Sequence, residues 1–575
     1  MQGGDALFVE IEGADAAAAD QVFGAQFFTC VQIGVLKRKC IRRTGILVNV
    51  DNSIRNSRQA ERTELSHARY LRIVCPWGNP RRFHLMTPWP AKFRGLTMCE
   101  TEIKRVSSPL RCAEPLGRSI SGVGFFVLTF GTVVGSGWVV ALGEWVAASG
   151  PGGAIVAFSA GGLLMAIIAA AYAELIAGLP RAGGEFLFVL SGLGKTAGFL
   201  TGWFLTLYII GFTAFEAVAL AWFLEMLCPM LTHTPVLYKV LGYNLTIFNL
   251  AVGITSSALL TWLNSHGAQA AVGVQRAATF SFIAISVILI VIGLGQGESE
   301  NIRPFFAVGA GKTNSIPVGM LWTFSTVLLF LSGFQTAANA IEERSTKTTI
   351  RTVAYSMIGS VIVATIFYCL IIIVVSLLTP WRDMVSKPLP VAAAFEGVLP
   401  GGLATKIVLL AAAVSLIKTW NALHLSASRL LLAQAREGLL PAALAYIDPR
   451  HGVPIRAVTL VGAITTAWLF LGKGAILPII NMSTICVTIA MVLSLLSLRQ
   501  LRAVQEDIPE FVMPGGEVML TIAIVATSLA AVMAIITPFQ TSRGLPIEIM
   551  IIGIWTALGI CIRIIGVKCA KQQRL

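Results

Sequence analysis

Twelve long apolar runs follow residue 120, and they constrain this chain more than any other feature of its sequence. A helix needs roughly 20 apolar residues to cross a bilayer, and most of the runs reach that length. We expect spanning helices near residues 123–148, 153–178, 197–227, 245–263, 277–295, 316–340, 353–378, 403–433, 457–472, 475–498, 517–537 and 547–566. Composition agrees, because 55% of the residues are hydrophobic and only 13% are charged. The sequence therefore predicts an all-α membrane protein with about twelve transmembrane helices.

Basic residues set the expected orientation and the domain boundaries. If the segment before residue 120 is cytoplasmic, the inside loops carry twice as many Lys and Arg as the outside loops, as the positive-inside rule requires. We therefore expect both termini in the cytoplasm, with the protein in the plasma membrane or, as the alternative, an organelle membrane. Residues 1–117 are predicted to be a basic and largely disordered tail, 118–570 the twelve-helix domain, and 571–575 a short cytoplasmic end. No recognition motif accompanies the basic charge, so we expect no nucleic-acid partner.

Seven residues in the first run predict a break in its helix. Residues 131–137 read GTVVGSG, and three glycines with a serine disfavour a helix. Hydrocarbon offers no partner to a freed N–H or C=O, so such breaks are tolerated only where they line a cavity. In secondary transporters the ends of broken helices face the substrate near the middle of the membrane. The alternative is that these glycines only let helices pack closely.

Enzymatic and ATP-driven chemistry is not indicated. Gly-Lys-Thr occurs twice, but Val189 and Phe306 stand where a phosphate-binding loop needs its first glycine. The sequence has neither a His-Glu zinc helix nor a Gly-x-Ser-x-Gly elbow. We therefore expect a protein that is not an enzyme and that uses no cofactor and no metal.

Four sequence motifs, taken in their order along the chain, resemble those of a known transporter family. Residues 129–138 (TFGTVVGSGW), 172–185 (YAELIAGLPRAGGE), 330–336 (FLSGFQT) and 420–441 (WNALHLSASRLLLAQAREGLLP) are the four. They resemble the broken first helix, the signature after the second helix, the broken sixth helix and the end of the eighth helix in amino acid permeases of the amino acid-polyamine-organocation (APC) superfamily. The resemblance covers about residues 118–570. It implies a five-plus-five inverted repeat with two broken helices, followed by two appended helices.

The two predicted breaks suit a zwitterionic substrate. Backbone N–H groups and a hydroxyl at the first break would face a carboxylate, and the small residues there permit close approach. Carbonyls freed at the second break would accept from an α-ammonium, and Phe330 and Trp322 are candidates for closing the pocket from outside. The candidate substrate-binding residues are Val134, Gly135, Ser136, Gly137, Phe330, Ser332 and Gly333.

Ionisable residues inside spans are costly, so each is a candidate for function. Lys418 lies in the eighth run, Glu216 in the third, and His424 about two turns beyond Lys418. Several transporters of this architecture bind sodium between the first and eighth helices. We hypothesise that Lys418 supplies a positive charge in place of that ion, with its protonation coupled to the transport cycle. The alternative is that Lys418 snorkels or bridges to Glu216 structurally.

Two further residues complete the coupling candidates, which are Lys418, Thr419, Glu216 and Gln335. Gln335 follows a Gly-Phe pair where many relatives carry glutamate. An amide does not titrate, which weighs against proton coupling at that position.

Together these features predict a secondary active transporter of amino acids, a symporter or antiporter. It would work by alternating access around a site between the first, third, sixth and eighth helices. The expected partners are a small-molecule amino acid or amine, the lipid bilayer, and a proton or sodium ion. Two alternatives remain: an amine or polyamine permease, and a non-transporting nutrient sensor that keeps the permease fold and signals through its basic tail.

Overall fold

A computed structural model describes residues 47–49, 72–74, 116–228, 230, 234–240, 242–308, 315–387, 389–504, 508–541 and 544–572. Most of the predicted tail and residues 573–575 lie outside these ranges, so the predictions made for them stay predictions. The chain divides into two units, Met1–Ser108 and Pro109–Leu575. In the first unit, strand β1 (Leu47–Asn49) pairs antiparallel with β2 (Arg72–Val74).

The second unit is built from helices. In chain order they are α1 Gly122–Val133, α2 Gly137–Val140, α3 Leu142–Gly178, α4 Gly184–Gly192, α5 Lys195–Leu227, α6 Ile247–Ser265, α7 Ala268–Gln296, α8 Ile316–Phe330, α9 Thr336–Ala340, α10 Ile350–Leu378, α11 Trp381–Met384, α12 Pro390–Ala394, α13 Leu403–Arg436, α14 Ile455–Trp468, α15 Ile476–Val504, α16 Gly516–Thr541 and α17 Ile547–Gln572. Short 3-10 helices cover Ile341–Glu343, Pro400–Gly402, Ala442–Ala445, Leu469–Leu471 and Lys473–Ala475. A hairpin of β3 (Val236–Val240) and β4 (Tyr243–Thr246) precedes α6.

The predicted runs coincide with these helices. Within the described ranges, nine helical segments are long and apolar enough to cross a membrane. Two shorter apolar helices, α8 and Ile455–Leu471, cover the sixth and ninth runs, and α17 covers the twelfth. The all-α fold class is therefore confirmed.

A sharp kink in α3 separates the first two predicted spans. Gly150 has φ 78° and ψ 172°, and Pro151 follows it. Proline suits the first turn of a new helix because its φ is already helical and its missing N–H has no partner there. A Cβ on Gly150 would lie 2.8 Å from the backbone of both Ala307 and Phe305. Only glycine fits this bend.

Both predicted breaks are present, and they touch each other. α1 and α2 are separated by residues 134–136, where Val134 leaves helical geometry with φ −94° and ψ 86°. α8 and α9 are separated by residues 331–335, where Gly333 has φ 121°. A Cβ on Gly333 would lie 2.8 Å from the carbonyl carbon of Thr132 in α1. The close approach of the two breaks therefore depends on glycine.

The buried centre of the molecule is α5. In its most apolar stretch 94% of the residues are buried, against 28% for α6 and for α7. α5 packs closely along α13, and α13 also contacts α1. These three helices, with α8, bring the predicted site residues together.

Candidate functional site

The two breaks enclose a small pocket. Its walls come from α1, α2, α5, α8, α13 and the two breaks. They are formed by Thr132, Val133, Gly135, Ser136, Gly137, Tyr208, Phe212, Phe215, Leu329, Phe330, Ser332, Thr419 and Leu423. The cavity offers about 20 Å³ to the centre of a water-sized molecule. That is room for about one water, so the pocket must widen to admit a larger substrate.

Five of the seven predicted substrate-binding residues line this pocket: Gly135, Ser136, Gly137, Phe330 and Ser332. The other two make hydrogen bonds away from the pocket. The Val134 carbonyl accepts a hydrogen bond from Ser415 Oγ at 3.1 Å, and the Gly333 N–H donates to Gln335 Oε1 at 2.7 Å. Val134 and Gly333 therefore shape the breaks and do not form the wall.

Polar groups at the pocket are few, and one has no partner. Ser136 Oγ is buried and has no hydrogen-bond partner among the described residues. Ser332 Oγ donates to the Leu329 carbonyl at 2.6 Å and lies 3.2 Å from the Tyr208 hydroxyl. The hydroxyl of Ser136 is therefore the group most available to a substrate carboxylate.

An aromatic cluster closes one end of the pocket. The Phe330 ring lies against Gly137, where a Cβ would come within 2.2 Å of the ring. Trp145 packs edge-on against Phe330, with ring centroids 5.0 Å apart, and also against Phe158 and Tyr368. Phe330 was a sequence candidate for closing the pocket, whereas Trp145 was not, because its position depends on the kink at the end of the same span.

An ion pair fixes the N-terminal end of α1, away from the pocket. Arg429 and Glu343 form a bidentate pair at 2.7 and 3.1 Å, and neither side chain is exposed. The Glu343 carbonyl accepts the N–H groups of Ser119 and Ile120, both at 2.9 Å. Glu343 thus joins the residues before α1 to α13 and to the end of α9.

The Lys418 ammonium fills the back of the first break. Nζ donates to the carbonyl of Gly131 at 3.0 Å and to that of Val134, and it lies 4.7 Å from the centre of the Phe282 ring. Thr419 Oγ1 donates to the same Gly131 carbonyl at 2.9 Å. An ammonium and a hydroxyl from α13 therefore bind carbonyls where α1 is interrupted.

Glu216 faces this cation without bonding to it. Both carboxylate oxygens are buried and lack a hydrogen-bond partner in the described part of the chain. Lys418 acts on Glu216 electrostatically, but no hydrogen bond joins them. Oε1 lies 3.5 Å from the position a Cβ of Gly135 would take. The alternative of a direct structural bridge between Glu216 and Lys418 is thus not the arrangement in this structure.

His424 lies away from this group. Its Nε2 is 3.2 Å from the carbonyl of Val458 in α14. This contact gives the imidazole a structural partner, and His424 does not line the pocket.

The sequence between 120 and 558 matches the model of a family described as "Amino acid permease". The chain belongs to the amino acid permease family. Membership fits the APC resemblance and makes the protein a multi-pass membrane transporter, a class distinct from enzymes.

Three relatives of this permease carry different names. It is 28% identical over 397 residues to the methylthioribose transporter of Bacillus subtilis (68% of this chain, 82% of the relative). It is 24% identical over 424 residues to the branched-chain amino acid permease BcaP of the same species (71% and 86%). It is 26% identical over 394 residues to cationic amino acid transporter 5 of Arabidopsis thaliana (66% and 64%). The relatives agree on transport and disagree on cargo.

The candidates drawn from the sequence include none of the three residues that α5 contributes to the pocket wall. Tyr208, Phe212 and Phe215 line the pocket at spacings of four and three residues. That spacing places three aromatic side chains on one helix face, next to the Glu216 that the sequence did single out. The spacing of these three aromatic residues is visible in the sequence. The same spacing is also found on helix faces buried in a core, so the sequence does not distinguish the two.

Proposed function

We propose that this permease carries an amino acid with a neutral, apolar side chain, by alternating access around the pocket between the two breaks. The observation that carries the proposal is the division of the pocket wall. Hydroxyls of Ser136 and Ser332 lie at the helix breaks, while Phe212, Phe215 and Phe330 form apolar surface around them. This arrangement suits a zwitterionic backbone at the hydroxyls and an apolar side chain against the rings.

The charge of the wall supports a neutral side chain over a cationic one. A buried ammonium or guanidinium needs a paired anion, and none of the described lining residues is acidic. The nearby carboxylate of Glu216 is outside the lining and already faces Lys418. The same argument weighs against a polyamine as the cargo.

Lys418 supports sodium-independent transport. Carbonyls at a helix break are the groups that bind a cation in transporters with broken helices. Here the ammonium of Lys418 and the hydroxyl of Thr419 bind them, with the carboxylate of Glu216 as counter-charge. We propose that Lys418 is the fixed cation of the transport cycle and that Gln335 takes no proton.

Alternating access is supported by two separate contacts between helices. The contact between Phe330 and Trp145 closes one end of the pocket, and the pair of Arg429 and Glu343 joins the residues before α1 to α13. Each contact links different segments, so one can open while the other stays intact.

Uptake into proteoliposomes tests the proposal. Radiolabelled L-leucine, L-lysine, putrescine and methylthioribose are offered separately, under a sodium gradient or a proton gradient. We expect leucine uptake that is indifferent to sodium. Uptake of lysine or putrescine without leucine would refute the neutral pocket, and uptake of methylthioribose alone would refute the amino acid.

Deletion of residues 1–110 separates a transporter from a sensor. A transporter keeps its uptake without the tail, because the pocket is built entirely from residues after 130. Loss of a cellular signal, with no uptake in the full-length folded protein, would favour the sensor.

A further inference from the structure

Another buried carboxylate, without a bonded cation, lies apart from Lys418 and Glu216. Glu185 is in the first turn of α4, between two spanning helices, and is 1% exposed. Its Oε1 has no hydrogen-bond partner among the described residues. Burial raises the pKa of this carboxyl to about 7. A carboxylate without a paired cation is costly to bury, so the protonated form is favoured while the site is closed.

Polar groups lead from the pocket towards Glu185. The hydroxyl of Tyr172 in α3 lies near the carboxyl and Ser494 of α15 lies near the same hydroxyl, but neither Tyr172 nor Ser494 has a hydrogen-bond partner of good geometry among the described residues. On the pocket side, Tyr208 is within electrostatic range of Glu185 and lies 3.2 Å from Ser332 Oγ. Tyr208 and Ser332 also line the pocket, so the group that senses the charge of Glu185 faces the substrate site.

No cation balances Glu185 among its described neighbours. The titratable groups that act on it are Tyr172 from α3 and Tyr208 from α5. On the α9 side, Gly184 lies against Asn339, which does not titrate. The charged side chains at this end of the protein are engaged with one another, in the pairs Arg429–Glu343, Arg436–Glu342 and Arg181–Glu437.

The proposed function leaves a task that Glu185 can perform. As the fixed cation of the proposed function, Lys418 keeps its proton and its bonds to the carbonyls of the first break, so it carries no proton from one side of the membrane to the other. Gln335 has no titratable proton. Accumulation of substrate therefore needs another group that gains a proton on one side and loses it on the other.

We propose that Glu185 is this group, the binding site of the proton that drives transport. The Glu185 carboxylate accepts its proton from hydronium that enters on the pocket side, where the Ser332 and Tyr208 hydroxyls lie. When the contacts around Arg429 and Glu343 open, the O–H bond of Glu185 breaks and the proton passes to a water molecule, which leaves hydronium and a hydrated carboxylate. The inference rests on the proposed function, since a coupling proton requires transport.

Two transport modes in proteoliposomes test the proposal on the full chain. Counterflow exchange of radiolabelled L-leucine needs no net proton movement, whereas accumulation driven by a proton gradient does. We expect Glu185→Gln to keep counterflow and to lose accumulation to the level of protein-free vesicles. Glu185→Asp, which still titrates, should retain accumulation. The matched control is Glu548→Gln, because Glu548 is a buried carboxylate whose Oε1 instead accepts from Asn481 at 2.8 Å.

Each other outcome is decisive. Proton-driven accumulation by Glu185→Gln at the wild-type level overturns the inference, as does wild-type accumulation that ignores the proton gradient. Loss of both modes by a Glu185→Gln protein with wild-type thermal stability overturns it too, because the residue would then serve the pocket itself. Absence of leucine counterflow in the wild type overturns the proposed function and the inference with it.

Discussion

At the scale of single residues, Lys418 joins the break in α1 to α13. Its ammonium binds two carbonyls of the break and faces the carboxylate of Glu216. We expect Lys418→Ala to lose sodium-independent uptake, because the break loses its cation and Glu216 loses its counter-charge. Lost hydrogen bonds from a charged donor also cost about 1.5–3 kcal/mol of stability. Uptake in proteoliposomes and thermal unfolding in detergent measure the two effects.

Lys406 supplies the control for that variant. It lies in the same helix, α13, and its side chain is exposed. Lys406→Ala should leave uptake and stability near wild type. Sodium-dependent uptake that survives Lys418→Ala unchanged would contradict the assignment of Lys418 as the fixed cation.

Gly137 begins α2, directly after the first break, and contacts the ring of Phe330 that closes the pocket. A Cβ there would come within 2.2 Å of Phe330, so Gly137→Ala forces the ring away. Overpacking destabilises the conformation in which Phe330 contacts Gly137 by about 1–3 kcal/mol. A change of about 1.4 kcal/mol lowers the population of that conformation about tenfold. We expect uptake to fall by about tenfold for that reason. Gly359→Ala in α10 is the control, since a Cβ there meets no atom within 4 Å. An equal loss of uptake in both variants would contradict the role of Gly137 as the contact surface of the Phe330 ring.

The sequence pointed to the residues of the site better than to their contacts. Lys418 was conspicuous because a lysine interrupts an apolar run, and GTVVGSG because glycines do. Their meeting was a hypothesis drawn from relatives, since 287 positions separate Lys418 from Gly131 along the chain. Glu185 was hidden inside a motif, and only packing against α3 and α15 reveals that its carboxyl is buried and without a cation.

At the scale of elements, the kink in α3 depends on one glycine. Gly150→Ala imposes a positive φ on alanine and places a Cβ 2.8 Å from the backbone of residues 305 and 307. We expect a loss of about 1–3 kcal/mol from backbone strain, with the clash added to it. Gly194→Ala isolates the first effect, because Gly194 has φ 89° and nothing within 4 Å. Thermal unfolding in detergent should rank Gly150→Ala below Gly194→Ala, and the reverse order would refute the clash.

Element boundaries were the most predictable part of the fold. Hydrocarbon tolerates only helices with satisfied backbones, so each long apolar run had a single structural solution. The short elements outside the hydrocarbon carried no such constraint. Helices α4, α11 and α12 and the β3–β4 hairpin were therefore not predicted, although α4 holds Glu185.

At the scale of the whole molecule, the ion pair of Arg429 and Glu343 joins three segments at one end. Neither side chain is exposed, and removing one partner of such a pair costs about 3–5 kcal/mol. Glu343→Ala should therefore lower the free energy of unfolding by about 3–5 kcal/mol, measured by thermal unfolding in detergent. Glu437→Ala removes a pair with Arg181 whose side chains are 30% and 38% exposed, so its cost should be about 0–1 kcal/mol. Similar losses for both variants would show that burial does not decide the contribution of these pairs.

The size of the pocket bears on the kinetics of the transport cycle. Because the pocket has room for only about one water, the helices around it pack against one another without a substrate between them. Such a carrier can reorient without bound substrate. Net transport in one direction then does not require transport of a second molecule in the other direction. Efflux from preloaded vesicles should then proceed into substrate-free buffer, with little acceleration when unlabelled substrate is added outside. Such a transporter fills a compartment, whereas an obligatory exchanger only changes its composition.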